Sequence, residues 1–239
     1  PHAYLHDEGI LQDILKKIAR TSMTGRGSDG NKEMFAELIV RASEYIAQDN
    51  NIDLTNIKIE KIKGKGIEKS ELIQGIVLDK EKTHESMPSK VSGAKILLIN
   101  FGLEFKGPET ETRISITTPE QLGSFINAEE AALRNMAEKI INSGANIVFC
   151  QKGIDDLAQY YLAKAGIYAC RRVAKSDIEK LARATSGKII SSLNELSERD
   201  LGYADSVEEL KKGDEAMTYV KGCKNPRAVT ILIHGSTEQ

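Results

Sequence analysis

The sequence predicts an α/β fold: a parallel βαβαβ core with a long helical protrusion, inserted in a smaller, discontinuous α+β domain. Three observations predict it. Strand-like and helix-like segments alternate between residues 145 and 192, which implies parallel pairing with right-handed crossovers. One helical pattern covers residues 119–142 and would span roughly 36 Å at about 1.5 Å per residue, too long to lie within a compact domain of this size. Helix and strand patterns before residue 66 find their continuation in a strand-rich tail after residue 217.

Ile10, Leu11, Ile14, Leu15 and Ile18 recur at helical spacing over residues 7–20. Met34, Phe35, Leu38, Ile39, Ala42, Tyr45 and Ile46 do so over 31–48. "NIKIEKI" follows as a strand, and the Gly/Lys-rich "KGKGIEKS" marks a boundary. Strands are expected at 75–78, 95–100 and 113–117. Thr118-Pro119-Glu120-Gln121 opens the long helix, with Thr as N-cap, Pro at the first position and Gln in the capping-box position. Gly144 ends it. Strands at 145–150, 167–173 and 188–192 then alternate with helices at 154–165 and 177–186. Ser176-Asp177-Ile178-Glu179 reads as a capping box, with Ile178, Leu181, Ala182 and Thr185 facing the sheet. "MTYVKGCKNPRAVTILIHG" reads as a hairpin around Asn225-Pro226, packed with the N-terminal elements. The division is therefore 1–66 and 218–239 around 67–217.

The chain has 239 residues, 40% hydrophobic and 28% charged, as in ordinary globular proteins. A net charge of −2 gives no global pull toward nucleic acid or acidic membranes. The longest apolar runs, "KILLIN" and "VTILI", are strand-length and far short of a membrane span. Cys150, Cys170 and Cys223 match no zinc or CxxC spacing, and an odd count argues against a disulfide framework, so a reducing, cytoplasmic setting is expected. With no signal-peptide pattern and no Met at position 1, the sequence reads as a piece of a longer chain.

Candidate chemistry is sparse. Gly25-x-Gly27-x-x-Gly30 is a formal dinucleotide fingerprint, but a helical pattern precedes it where the motif needs a strand. An interhelical loop is the plainer reading, with a phosphate contact through Arg26 left open. His2 and His6 have metal-ligand spacing at an extreme terminus, where frayed chain is commoner, and no metal is expected. Arg171, Arg172, Lys175, Lys180, Arg183 and Lys188 form a basic stretch without interleaved aromatics, which reads as a solvated helix face rather than a nucleic-acid surface. Asp155 and Asp156 point about a hundred degrees apart on a helix, and suit capping better than acid–base work. Phe101, Leu103 and Phe105, in "FGLEFKGPETET", and Leu122, Phe125 and Ile126 form either a satellite core or an exposed binding surface.

"GANIVFCQKGIDDLAQYYLAKAGIYACRRVAKSDIEKLARATSGKI" closely resembles the apical domain of group II chaperonins, specifically archaeal thermosome subunits. "TSMTGRG", "IKIEKIKG", "ELIQGIVLDKE", "MPSKV", "DLGYAD" and "GCKNPRAVTILIHGSTE" match as well, and together the resemblance covers about residues 10–239. It implies a molecular chaperone: the apical domain (67–217) and intermediate domain (1–66, 218–239) of an ATP-driven double-ring folding machine, with residues 101–142 as the built-in lid. It implies that non-native client proteins bind at Gln151, Lys152 and Gly153 with Lys175, Ile178, Glu179 and Arg183. Phe101, Leu103, Phe105, Leu122, Phe125 and Ile126 would form the apolar patch of the lid. Gly25, Arg26 and Gly27 would be a nucleotide-sensing loop, with Arg26 where the family carries lysine, and "HGSTE" puts His234 where Arg is usual. ATP and Mg belong to the full-length family. The equatorial ATPase domain and its "GDGT" loop are missing here, so this chain is expected to hold no cofactor and to hydrolyse nothing. Its other partners would be further subunits of the ring, with no nucleic acid and no membrane. The alternative is a nucleotide- or small-ligand-binding enzyme using Gly25-x-Gly27-x-x-Gly30. Lys175 and Arg183, as outward-facing residues, are each expected to contribute no more than about 0.5 kcal/mol to stability.

Overall fold

The computed structural model describes residues 30–48, 51–64, 66–106, 117–212 and 215–235, with Asp13, Lys16, Lys17, Ala19 and Thr21 before them. Most of the expected first helix, the Gly25–Gly27 loop and nearly all of the strand expected at 113–117 fall outside the described residues.

The smaller unit is built from α1 (Lys32–Ile46), β1 (Ile57–Lys63), β2 (Glu71–Ile73) and β10 (Val229–Gly235). Its sheet order is β1-β10-β2. β1 runs parallel to β10, with Ile57 opposite Val229 and Lys63 opposite Gly235, and β2 is antiparallel to β10. Leu38, Ala42 and Ile46, four apart on α1, bury against Val229 and Ile231. Residues 32–63 and 229–235 thus share one sheet and one core.

The larger sheet holds β3 (Gly75–Leu78), β4 (Lys90–Ile99), β5 (Ile147–Cys150), β6 (Tyr168–Cys170), β7 (Ile189–Ile190), β8 (Gly202–Lys212) and β9 (Glu215–Lys221). The order is β3-β9-β8-β4-β5-β6, with β7 on β4. β4, β5, β6 and β7 are parallel; β3, β9 and β8 are antiparallel. Alternate residues feed opposite faces. Ile96, Leu98, Ile147 and Phe149 pack with Ile178, Leu181 and Ala184 of α4 (Lys175–Thr185). Leu97, Ile99, Val148 and Cys150 pack with α2 (Pro119–Asn142) and α3 (Asp156–Lys164) through Leu133, Ala137, Ile140, Ala158 and Leu162. With both faces covered, β5 is an unbroken apolar run, "IVFC".

Three expectations change. The tail is no hairpin: β9 belongs to the large sheet and β10 to the small one, because the 222–228 connection carries the chain from one sheet to the other. β7 does not extend the β5–β6 pair; β8 leaves β4 after Ile96, and β7 takes the edge freed at Leu98 and Ile99. α4 starts two residues early, at Lys175, with Ala174 as an N-cap that makes no side-chain hydrogen bond, so the Ser176 capping box does not form. Sheet membership also changes at other points than residues 66/67 and 217/218. Residues 71–73 pair within the small sheet, and β9 continues to Lys221 in the large one.

The junction between the units is packed. Ile62, Ile73 and Leu232 meet Val77, Met217 and Tyr219. The Val77 amide donates to Thr230 Oγ1 (3.2 Å), which donates to the Gly75 carbonyl (3.1 Å).

Candidate functional site

The parallel strands end in one row, at Ile99, Cys150, Cys170 and Ile190. In open α/β sheets this carboxyl edge is where loops present groups to a ligand. Backbone bonds lock these loops together. The Gln151 amide donates to Ile99 O (2.9 Å), Asn100 to Ile190 O (3.2 Å), Arg172 to Lys152 O (2.9 Å) and Val173 to Cys150 O (3.0 Å). The turn after β5 is tied to the 101–105 segment: Leu103 N donates to Gly153 O (3.0 Å) and Asp155 N to Leu103 O (2.8 Å). The Cys150 thiol donates to Phe101 O (3.1 Å). Asp155 Oδ1 accepts from Leu157 N (2.9 Å), the capping role expected of it. Arg172 sits at φ 52, a left-handed conformation that costs a non-glycine residue roughly 1–2 kcal/mol, and the two bonds flanking it hold it there.

The expected binding residues divide. Lys152 and Lys175 are exposed; Gln151, Gly153 and Glu179 are half-buried. Lys175 lies 3.9 Å from Glu179, one turn along the helix. These five share the rim formed by the β5 turn and the first turns of α4. Ile178 does not line it. At 1% exposure it belongs to the core beneath α4, since an amphipathic helix spends its apolar face on the sheet. Arg183 is also committed elsewhere: its guanidinium donates to Asn56 Oδ1 in the small unit.

The expected lid patch divides in the same way. Leu103 is 1% exposed and packs with Leu133 and Ile154, so it is core. Phe101 and Phe105 are half-buried against the same cluster, and the Phe105 and Phe125 rings meet edge-on at 5.6 Å. Leu122 and Ile126 stay exposed, at 47% and 51%. The reason lies in α2. Thr118 Oγ1 accepts from Gln121 N (3.3 Å) and starts the helix, while Gln121 Oε1 accepts from Thr117 N (3.0 Å) rather than from the N-cap amide. The second half buries Leu133, Ala137 and Ile140, whereas the first half buries no residue fully and half-buries Phe125. Arg134 pairs with Glu130 (2.9 Å) and its Nε donates to the Tyr161 hydroxyl (3.3 Å), anchoring the helix to α3 at the point where it leaves the body.

Among the described residues of this edge no nucleophile–base pair stands together. Burial pushes the Cys150 thiol up to about 11, which keeps it protonated and unreactive. Among the described residues no three His, Cys, Asp or Glu side chains converge to hold a metal, and no helix is long and apolar enough to cross a membrane. Of the glycine fingerprint only Gly30 is described; it is exposed, with open space around its Cα.

Sequence reasoning missed the contact of α4 with the small unit. Lys58 lies 3.0 Å from Asp177, and the Arg227 amide donates to Arg183 O (3.2 Å). These partners are far apart in sequence and follow no periodic pattern. The β8–β9 pair was missed too, although "GYADSVEEL" carries a partly alternating pattern.

The description "TCP-1/cpn60 chaperonin family" matches residues 5–239. A thermosome subunit beta of Archaeoglobus fulgidus is 56% identical over 230 residues, covering 95% of this chain and 42% of the relative. A thermosome subunit of Methanopyrus kandleri is 52% identical over 231 residues, with the same coverage. The open-state monomer of a group II chaperonin from Methanococcoides burtonii superposes with a TM-score of 0.74 at 45% identity, covering 95% of this chain and 52% of that one. The chain thus spans under half the length of these curated relatives.

Proposed function

The chain belongs to the TCP-1/cpn60 chaperonin family, and from that premise we propose that it is the client-binding part of a chaperonin. It holds non-native protein on the rim formed by Gln151, Lys152, Gly153, Lys175 and Glu179, and along the exposed start of α2. The large-sheet unit serves as the apical domain and the small unit as the intermediate domain, with borders near residues 74 and 222 where the strands change sheets. The observation that carries this reading is the first half of α2. It leaves the body with Leu122 and Ile126 in solvent, as a surface for capturing apolar segments does. Apolar contacts with a polar rim suit weak capture multiplied over several subunits.

Ring neighbours are further chaperonin subunits. ATP and Mg act in the remainder of the full-length protein, and this chain by itself turns over no ATP. Arg26, flanked by Gly25 and Gly27, is the residue we assign to nucleotide sensing in the assembled ring, with its planar guanidinium in place of an ammonium.

The test is suppression of aggregation. The purified chain, in excess over a heat-unfolded reference protein, should lower its light scattering. A well-folded chain that leaves the scattering unchanged sinks the reading, as does ATP turnover by the chain alone at a chaperonin's rate.

A further inference from the structure

We propose that the cations gathered at the ends of β5 and β6 make this rim selective for acidic stretches of an unfolded polypeptide. The inference rests on the client-binding reading and adds the chemical class of segment taken. The 2.9 Å bond from Arg172 N to Lys152 O brings the two loops side by side. Arg171 precedes that contact, and Lys175 opens α4 three residues after it. All four side chains are exposed.

Their adjacency on two joined loops sets them apart, since exposed Lys164, Arg199 and Lys211 of the same unit have no carboxylate partner among the described residues either. On the same unit Lys90 and Lys221 share Glu208, Lys95 pairs with Glu198 and Lys188 with Asp200. Among the described residues Lys152, Arg171 and Arg172 have no such carboxylate, and Lys175 has only the long contact to half-buried Glu179. The nearby acids are Glu104 beside Gly153, Asp155, whose carboxylate caps α3, Asp156, Asp177, which is taken up by Lys58, and Glu179. The α4 amides, capped by no side chain, add potential of the same sign as the cations. Unpaired surface cations on a rigid loop attract an anionic partner without first breaking an ion pair.

The experiment measures fluorescence anisotropy of three labelled unstructured peptides, matched in apolar content and acidic, neutral or basic in charge. A single-stranded oligonucleotide of the acidic peptide's charge is the fourth probe. At about 0.1 M salt the acidic peptide should bind about five- to tenfold tighter than the neutral one. The preference should collapse at about 1 M, where the screening length falls from about 10 to about 3 Å. Lys152→Gln with Arg171→Gln and Arg172→Asn should abolish the preference; Asn is chosen because it tolerates the left-handed backbone. If that variant unfolds, Lys152→Gln alone should roughly halve the preference. Lys188→Gln, which removes a paired cation, should leave it intact. Equal binding of the three peptides overturns the inference while leaving client capture standing. Binding of none of them overturns both. Tighter binding of the oligonucleotide replaces the acidic peptide with nucleic acid as the partner.

Discussion

The Lys58 ammonium lies 3.0 Å from the Asp177 carboxylate, across the junction between the two sheets. The side chains are 14% and 21% exposed, and Lys58 also reaches Glu60 at 3.4 Å. A pair this shielded is worth more than an exposed one. Its loss when one partner is removed leaves a half-buried charge uncompensated. Lys58→Ala should cost about 1–2 kcal/mol in urea unfolding, and a double-mutant cycle with Asp177→Asn should return a coupling of roughly 0.5–1 kcal/mol. A coupling of zero would mean the bridge does not form in solution.

Ile178 and its neighbours on α4 should separate cleanly by chemical denaturation. Ile178→Asp buries an unpaired carboxylate in the core and should cost at least about 3 kcal/mol. Lys175→Ala, at an exposed position, should stay within about 0.5 kcal/mol. Arg183→Ala should exceed the small cost expected from sequence, reaching about 1–2 kcal/mol, because buried Asn56 loses its partner. Equal losses for Lys175 and Ile178 would reverse the facing of this helix.

Leu122→Ser with Ile126→Ser should leave the melting temperature nearly unchanged, because both side chains already face solvent. The same pair should weaken aggregation suppression. Phe125→Ser should behave differently, costing about 1 kcal/mol of stability through the lost contact with Phe105. A large fall in melting temperature for the double variant would place Leu122 and Ile126 in the core.

The three thiols should be silent in the native state. Burial pushes Cys150 up to about 11, and Cys170 and Cys223 up to about 12. A disulfide reagent at neutral pH should react slowly with folded chain and quickly with all three cysteines in denaturant. The folded state holds these protons more tightly than the unfolded one. The thiol contribution to stability is therefore fully present below the ordinary value of 9.0 and falls as pH rises through it toward 11–12. Each thiol contributes a slope of at most about 1.4 kcal/mol per pH unit in that window. Stability that rises between pH 9 and 11 would contradict the burial of these side chains.

Gly75→Ala should be among the most damaging small substitutions. A Cβ there would stand 1.9 Å from the Val220 carbonyl oxygen, a backbone atom fixed by the β3–β9 pairing. Gly153→Ala meets the movable end of Glu104 and should cost less than half as much. The comparison of unfolding midpoints checks both, and equal midpoints would refute the close approach.

Local pattern alone determined the helices α1 to α4 and the strands β3 and β5. Hydrophobic spacing, Thr118-Pro119, and the glycines at 144 and 166 are signals carried within a few residues of the element they shape. The proposal of a rim at Gln151–Gly153 and Lys175 rests on a family pattern that covers these residues, and periodicity alone does not single them out. Only the tertiary structure decided which neighbours those elements meet. Whether β9 pairs with β10 or leaves it for another sheet, and whether β7 sits beside β6 or across β4, depends on edges freed by strands far away in the chain. The same holds for the side chains: Ile178 and Leu103 are drawn into cores, and Arg183 and Asp177 are taken up by the small unit. Periodicity says that a residue is apolar or charged, whereas burial and pairing follow from what packs against it, and that partner lies beyond any local window.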